Sequence, residues 1–442
     1  MSCPWFLLAS DSFPAWISME TIQLFWMESQ RGGFWPRVRS LECCMDWDTA
    51  PFISSFFTPT IADLDLSFPD KNSWLLQPTL SLISHTCRQL QSLKIFVGTS
   101  GSSPGIEMGR LISASASTLH TIAIQSPTPP EILPVIFELP LLRSLKLKKP
   151  QFPDQIPSGI LPSLELVSFR DTRGPNLTQF FGKLSTRKLV EVGVYYSETI
   201  QVPTLLHSLT GATATIENLS LSPVTALCRS SIALLCTFTN LTYLFITCAC
   251  VEPIVGLQCT FQLTDQDLLD LGGALPLIHT LSLGPGCRTP CCATFKSLIG
   301  LSRTCGSLKS LSITVDFASI VDASGQQNNS NASPGVNSPR IQRGRSKLRQ
   351  LNLGNSSLPG TPRCEWIVAL ALFTIFPSVD LVHSPHEWWG GVRRDILVCQ
   401  RIFHAIEAEG KSLDTRSGIP TLMHLIQTRP QSYKLMKGSR LS

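Results

Sequence analysis

A short pattern, apolar-x-x-apolar-x-apolar, recurs along this 442-residue chain and constrains its fold more than any other feature. Thirteen copies occur in order, and most begin 22 to 30 residues after the previous one, with spacings of 37 and 40 at two places. One copy carries little information in a leucine-rich chain, but thirteen at similar spacing indicate a structural repeat. The copies begin at Val38, Ile61, Leu90, Leu119, Leu142, Leu164, Leu189, Ile216, Leu241, Ile278, Leu308, Leu348 and Phe376.

The spacing within each copy places three apolar side chains on one side of a short strand and the turn that leads into it. Burying each of them contributes roughly 1.5–3 kcal/mol, whereas ordering the backbone costs roughly 1–2 kcal/mol per residue. No repeat is therefore stable alone, and neighbouring repeats must stack. This pattern predicts an α/β leucine-rich-repeat solenoid, with parallel strands on a concave face and helices or irregular segments on the convex face.

Two segments between copies predict convex helices. In "TDQDLLDLGGALP", Thr264 is positioned as an N-cap with Asp267 three residues later, and Pro276 ends the helix. The segment "PPEILPVIFELP" resembles the first helix of an F-box, the helical module that docks on the adaptor of Skp-Cullin-F-box ubiquitin ligases. A repeat strand follows it at once, and Pro134 disfavours a continuous helix. We therefore interpret it as a repeat helix, with a degenerate F-box as the alternative.

The repeats define the predicted domain organisation. Residues 1–34 form an N-terminal segment or cap, residues 35–386 the solenoid, and residues 387–442 a C-terminal helical cap with a loose tail. Residues 322–347 are rich in Ser, Asn, Gly and Gln and are predicted to be a disordered insert. Its Ser-Pro pairs and thin basic cluster leave phosphorylation or nuclear targeting open as alternatives to a solvated loop.

Composition limits the classes of function. Only 15% of residues are charged, against about 25% in an average chain, and the net charge of +5 is too small to indicate a nucleic acid partner. The 15 cysteines form no repeated CxxC pair, which favours free thiols in a reducing compartment, the cytoplasm or nucleus. The longest apolar run, "WIVALALFTIF", has 11 residues and predicts a buried helix rather than a membrane span.

No motif in the sequence predicts an enzyme. The nearest approach to a metal site is His383-x-x-His386-Glu387 with Cys364 upstream, and no further ligand stands at a suitable spacing. Glycine-containing loops lack the lysine of a phosphate-binding loop. We expect no catalytic residue, no metal and no cofactor.

A partner-binding surface is predicted from the strand residues that alternate with the core positions. The early strands present acidic residues, the central strands basic and aromatic ones, and the later strands Ser, Thr and Asn. Exposed aromatic side chains beside Lys and Arg are typical of protein-binding hot spots, and their charge favours an acidic peptide or protein. The predicted binding residues are Lys94, Phe96, Lys146, Lys148, Arg170, Tyr195, Tyr243 and Phe245.

The irregular repeats, the unit "LTDQDLLDLGGALPLIHTLSLG" and the ending "FPSVDLVHSPHEWW" resemble fungal F-box/leucine-rich-repeat proteins. In that family the F-box recruits the ligase and the repeats hold its substrate. This chain matches the repeat half only, so the resemblance implies a substrate receptor whose contact with a Skp-type adaptor needs an F-box upstream. A repeat scaffold or inhibitor that acts without a ligase is the alternative.

Overall fold

The structure is a computed structural model in which part of the chain is described. Those residues are 6–9, 14–17, 23–24, 27, 38–45, 56–69, 74–98, 104–172, 176–196, 201–224, 226–248, 260–261, 263–285, 287, 292–317, 346–356, 362–383 and 389–408. The chain forms two compact units. The first unit consists of Met1–Phe261 and Cys287–Thr289, and the second of Gln262–Gly286 and Pro290–Ser442.

The first unit contains a mostly parallel sheet whose strands follow one another in chain order. Strand β3 also pairs antiparallel with β1, which in turn pairs with β2. Strands β11 and β13 form a separate parallel pair. The strands are β1 Phe6–Ala9, β2 Pro14–Ile17, β3 Ser40–Cys44, β4 Asp63–Phe68, β5 Ser92–Val97, β6 Thr121–Pro127, β7 Ser144–Lys148, β8 Leu166–Thr172, β9 Glu191–Tyr196, β10 Asn218–Val224, β11 Ala226–Leu227, β12 Tyr243–Cys248 and β13 Thr260–Phe261.

Helices connect these strands, and successive helices pack against one another. The helices of the first unit are α1 Leu76–Thr86, α2 Gly105–Ala114, α3 Leu133–Phe137, α4 Asn176–Lys183, α5 Val202–Ser208 and α6 Arg229–Leu235. The second unit repeats the scheme with a four-stranded parallel sheet and four helices among its described residues. Its elements are α7 Asp265–Ala274, β14 Thr280–Leu283, α8 Phe295–Thr304, β15 Ser310–Ile313, β16 Gln350–Asn352, α9 Pro362–Ile375, β17 Leu381–His383 and α10 Trp389–Ala408.

The first twelve predicted copies of the apolar pattern each coincide with a strand in the predicted register. Within the first unit, the second apolar residues of successive copies pair in register on neighbouring strands, as Leu145 does with Val167. These side chains are almost completely buried: Leu41, Leu64, Leu93, Ile122, Leu145, Val167, Val192, Leu219 and Leu244 are each at most 2% exposed. The prediction that these positions form the core is confirmed.

The two segments predicted to be convex helices fold as expected. Thr264 caps α7 by accepting from the Asp267 backbone nitrogen, and the Asp267 carboxylate accepts from the Thr264 backbone nitrogen, which completes a capping box. "PPEILPVIFELP" forms a single 3₁₀ turn, Pro130–Ile132, followed by the five-residue α3. Pro134 lies in the first turn of α3, where a missing backbone N–H costs nothing. The segment is therefore a repeat helix.

An aromatic cluster anchors the first unit beneath β7 and β8. The Phe180 ring of α4 is fully buried, and its centroid lies 5.2 Å from the centroids of Phe152 and Phe169 and 5.4 Å from that of Phe181. Phe169 belongs to β8, whose alternate side chains face the other way. Closely packed rings on the core side of the sheet therefore hold the strand that carries Arg170 in place.

Two predictions in the second unit are corrected. The last copy was predicted as Phe376-Val379-Leu381, but Leu351 of β16 pairs with Val382, so Val379 and Val382 occupy the first two core positions. The apolar residues of the segment "RRDILVCQRIFHAIEAEG" predict a broad buried face on α10 that includes Ile396, Leu397 and Cys399. Leu397 is instead 40% exposed, because the buried stripe is narrower than predicted. Its described members are Trp389, Val392, Ile396 and Cys399.

The remaining domain predictions fall largely outside the described residues. This holds for most of segment 1–34, for the insert 322–347 apart from Ser346 and Lys347, and for the tail from residue 409. Where the structure describes the chain, no helix has the length and apolarity needed to cross a membrane.

Candidate partner-binding face

The sheet of the first unit presents one side to the helices and leaves the other side accessible. Along each strand, side chains alternate between the buried core and this second side, which we call the open face. Strand register aligns its residues into rows. The middle row contains Glu42, Asp65, Lys94, Ala123, Lys146, Ser168, Gly193, Ser220 and Phe245.

All eight predicted binding residues lie on the open face. Lys94 and Phe96 come from β5, Lys146 and Lys148 from β7, and Arg170 from β8. The other three are Tyr195 of β9 and Tyr243 and Phe245 of β12. Each side chain is exposed or half-buried, and Phe96 is 43% exposed.

Three of these residues form what we call the basic cluster: Lys146, Lys148 and Arg170. Lys148 and Arg170 are register partners on adjacent strands, and Lys146 lies two residues before Lys148. The Lys148 ammonium is 4.0 Å from the Asp171 carboxylate. Among the described residues, no carboxylate lies within ion-pair distance of Lys146. The cluster therefore carries three positive charges against one nearby negative charge, and Lys146 is its most available cation.

Lys94 is set apart from this cluster. Its ammonium lies 3.4 Å from the Asp65 carboxylate of the neighbouring strand, and both side chains are substantially exposed. Such a pair contributes roughly 0–1 kcal/mol to stability, but it offsets the charge that Lys94 offers to a partner. The alanine at position 123 separates Lys94 from Lys146 in the middle row.

Arg170 also contacts the aromatic part of the face. Its guanidinium carbon lies 5.7 Å from the centroid of the Tyr195 ring, a cation–π arrangement between register partners. At an exposed site this contact contributes about 0.5–1 kcal/mol. It restrains both side chains before any partner arrives, which lowers the entropy lost on binding.

The Tyr195 ring leans back along its own strand. A Cβ atom placed on Gly193 would lie 3.1 Å from Tyr195 Cε2 and 3.3 Å from Ser168 Oγ, so the ring covers the glycine closely. On β12 the rings of Tyr243 and Phe245 stack, with centroids 6.3 Å apart and planes 20° from parallel. The open face thus has two aromatic surfaces, one on β9 and one on β12.

A carboxylate borders the aromatic surfaces. Partial burial raises the pKa of the Tyr243 phenol, and the Tyr195 phenol and the Glu191 carboxylate raise it further. Glu191 begins β9 and pairs in register with Asn218 of β10. The sequence analysis missed Gly193, Glu191 and Asp171 as parts of the site. The alternation along "EVGVYY" could have indicated the first two, since Glu191 and Gly193 share a strand face with Tyr195.

The described side chains of the open face also bear on metal chemistry. In the described portion of the chain, no group of three or more His, Cys, Asp or Glu residues is placed to hold a metal ion. His386 and Glu387 of the candidate metal motif lie outside that portion. The chemistry available on the open face is charge pairing, aromatic contact and hydrogen bonding.

No protein-family model matches the chain, and no curated protein matches it. Among solved structures it is similar to the crystal structure of an internalin (inlF) from Listeria monocytogenes, with a TM-score of 0.39 and 10% sequence identity. That alignment covers 86% of this chain and 92% of the internalin chain.

The fold class follows from the topology within each unit. Short parallel strands in chain order, joined by helices and built on one repeated apolar pattern, are the defining features of an α/β leucine-rich-repeat solenoid. Proteins of this architecture are typically binding scaffolds, because the accessible strand side chains form an extended surface.

Proposed function

We propose that this protein is an interaction module that binds an acidic peptide or protein segment on the open face of its first unit. The observation that carries the proposal is the placement of Lys146, Lys148 and Arg170 together on adjacent strands, next to half-exposed aromatic rings. In a chain with 15% charged residues, such a concentration of one charge on one face is conspicuous. Arg and aromatic side chains supply most of the energy at protein interfaces.

The double substitution Lys146→Glu and Lys148→Glu tests this proposal. Both side chains point away from the core, so folding should be retained while attraction for an acidic partner becomes repulsion. A matched control is Arg187→Glu with Lys188→Glu, which makes the same change in net charge at exposed residues of the turn before β9. Affinity purification of the full-length variants, followed by quantitative mass spectrometry, compares what each retains.

We expect at least one protein to be retained by the wild type and the control but lost from the Lys146/Lys148 variant. Its binding should also weaken as salt is raised, because the Debye length falls from about 10 Å at 0.1 M to about 3 Å at 1 M. Equal retention by all three variants would refute the proposed face.

Delivery of the bound partner to a ubiquitin ligase is a finer proposal, supported by the resemblance to fungal F-box/leucine-rich-repeat proteins. A Skp-type adaptor that co-purifies with the full-length protein would support it, whereas a partner recovered without adaptor favours a ligase-independent scaffold or inhibitor. We also propose a cytoplasmic or nuclear location. Ten cysteines among the described residues are free thiols and six of these ten are buried, which supports a reducing compartment.

A further inference from the structure

A gap separates the two aromatic surfaces of the open face. The Tyr195 ring covers Gly193 in the middle row, Ser220 is the next residue in that row, and Phe245 follows on β12. Neighbouring strands lie about 4.8 Å apart, so the strands that carry the rings are separated by about 10 Å. The small Ser220 side chain lies between them. We call Tyr195, Ser220, Tyr243 and Phe245 the aromatic slot.

The slot has the width for one inserted side chain. Carbon atoms in contact lie about 3.5–4 Å apart, so a flat or linear apolar group between two surfaces occupies about 7–8 Å. The stacked Tyr243–Phe245 pair forms one wall of nearly constant orientation, and the Arg170 contact steadies the Tyr195 wall. An apolar side chain inserted above Ser220 would touch both walls.

Charge decides between an apolar and a cationic occupant. Aromatic rings beside a carboxylate such as Glu191 can bind a cation. The nearest charged group on the Tyr195 ring is already a cation, however, and the basic cluster contributes two more positive charges on β7. With Asp171 and Glu191 set against Arg170, Lys146 and Lys148, the surroundings keep a net charge of about +1, which disfavours a cationic side chain and favours a large apolar one.

We propose that the partner carries a large apolar side chain four residues away from an acidic side chain, and that the aromatic slot takes the apolar group while the basic cluster takes the acid. This inference rests on the proposed function and specifies the segment that the open face recognises. The segment lies extended across the strands.

Sheet geometry sets the spacing. Ser220 on β10 is two strand intervals from Arg170 on β8 and three from Lys146 on β7, or roughly 10–14 Å. In an extended chain the rise is about 3.3–3.4 Å per residue, and only every second side chain points the same way. Two side chains that are two residues apart are therefore too close together to reach both the slot and the basic cluster, whereas side chains four residues apart are separated by about 13 Å. The apolar residue can lie on either the N-terminal or the C-terminal side of the acidic one.

The test is a selection of random twelve-residue peptides displayed on phage against the immobilised full-length protein. The expected result is enrichment of Asp or Glu with Phe, Trp, Tyr or Leu four positions away. The most enriched peptide is then synthesised with a fluorescent label, and its affinity is measured by anisotropy.

Three variants make the result specific. Ser220→Phe fills the slot and should weaken binding of the selected peptide roughly tenfold to hundredfold, the effect of losing one buried apolar side chain. Phe245→Ser removes one wall and should act in the same direction. Ser67→Phe makes the same substitution at a half-buried open-face residue of β4, six strand intervals from β10, and should leave affinity within about twofold because Ser67 is remote from the slot. Circular dichroism establishes that each variant is folded.

The outcomes separate the two proposals. Acidic peptides without the apolar residue, sensitive to Lys146→Glu with Lys148→Glu but not to Ser220→Phe, would overturn the slot and leave the proposed function standing. Enrichment of basic peptides, or of no peptide at all, would overturn both.

Discussion

Replacing Asp265 by alanine tests how consecutive repeats of the second unit are joined. The Asp265 carboxylate accepts two hydrogen bonds from Thr294, at 2.6 Å from the backbone nitrogen and 2.7 Å from the hydroxyl oxygen. Thr294 is the N-cap of α8, so these bonds join the first turn of α7 to the start of the next helix. The side chain thereby connects one repeat to its neighbour 29 residues away in sequence.

The expected loss of unfolding free energy follows from these contacts. Hydrogen bonds to a charged group contribute about 1.5–3 kcal/mol, and a carboxylate in the first turn of a helix adds about 0.3–1 kcal/mol. Because Asp265 is half-exposed, we expect Asp265→Ala to lower the free energy of unfolding of the second unit by about 2–3 kcal/mol. Asp270→Ala is the matched control on the same helix. Asp270 is exposed and accepts a local bond from Gln266, worth about 0.2–0.5 kcal/mol.

Two measurements check this expectation. Denaturant titration gives the change in unfolding free energy, and hydrogen exchange monitored by mass spectrometry shows where protection is lost. Exchange should accelerate in peptides that cover the start of α8 in Asp265→Ala and should be unchanged there in Asp270→Ala. Equal destabilisation by the two substitutions, or loss of protection confined to α7, would refute the argument that Asp265 couples adjacent repeats.

Two further predictions concern backbone strain and thiol reactivity. Gly354 has φ of +48° and an added Cβ would overlap the Pro285 carbonyl oxygen, so Gly354→Ala should destabilise the protein by more than about 1 kcal/mol. Gly273 lies in open space on α7, so Gly273→Ala should stabilise the protein by about 0.5–1 kcal/mol. Denaturant midpoints that move in the same direction for both variants would contradict this prediction. Hydrogen bonds from Ser230 and a second serine lower the pKa of the exposed Cys228 thiol to about 7. The rate of its alkylation by iodoacetamide should therefore rise with pH through a midpoint at about 7, and this midpoint should shift upward in Ser230→Ala. A wild-type midpoint of about 8.5 would be incompatible with these bonds.

The strands could be predicted from sequence because each needs the same buried side chains, and the repetition removes the ambiguity of a single copy. The last copy shows the limit. Phe376, Val379 and Val382 follow one another at intervals of three residues. The pattern alone therefore permits two registers, one that buries Leu381 and one that buries Val382. The hydrogen bond from the Asp380 nitrogen to the Arg349 carbonyl selects the register in which Val382 is a core residue. That bond depends on the neighbouring repeat, which a local pattern does not contain.

The open face was predictable from alternation up to the point where a strand becomes irregular. After Val167 and Phe169, alternation places Asp171 on the core side of β8. The pairing with β9 shifts between Arg170 and Thr172, and Asp171 adopts φ of +53°. This irregularity brings its carboxylate to Lys148. The basic cluster therefore holds a counter-charge that period-two reasoning excludes.

Alternation also separates the residues that stabilise the fold from those available for recognition. On β7, Leu145 and Leu147 are at most 2% exposed, while Lys146 between them contributes nothing to that core. We therefore expect charge reversal at Lys146 to act on the proposed binding with little effect on folding, and truncation of Leu145 to do the reverse. Since each repeat adds one strand at a fixed spacing, the distance between two recognition groups is set by the number of repeats between them. A shift of the slot by one repeat would change the required partner spacing by about 4.8 Å, more than one residue of extended chain.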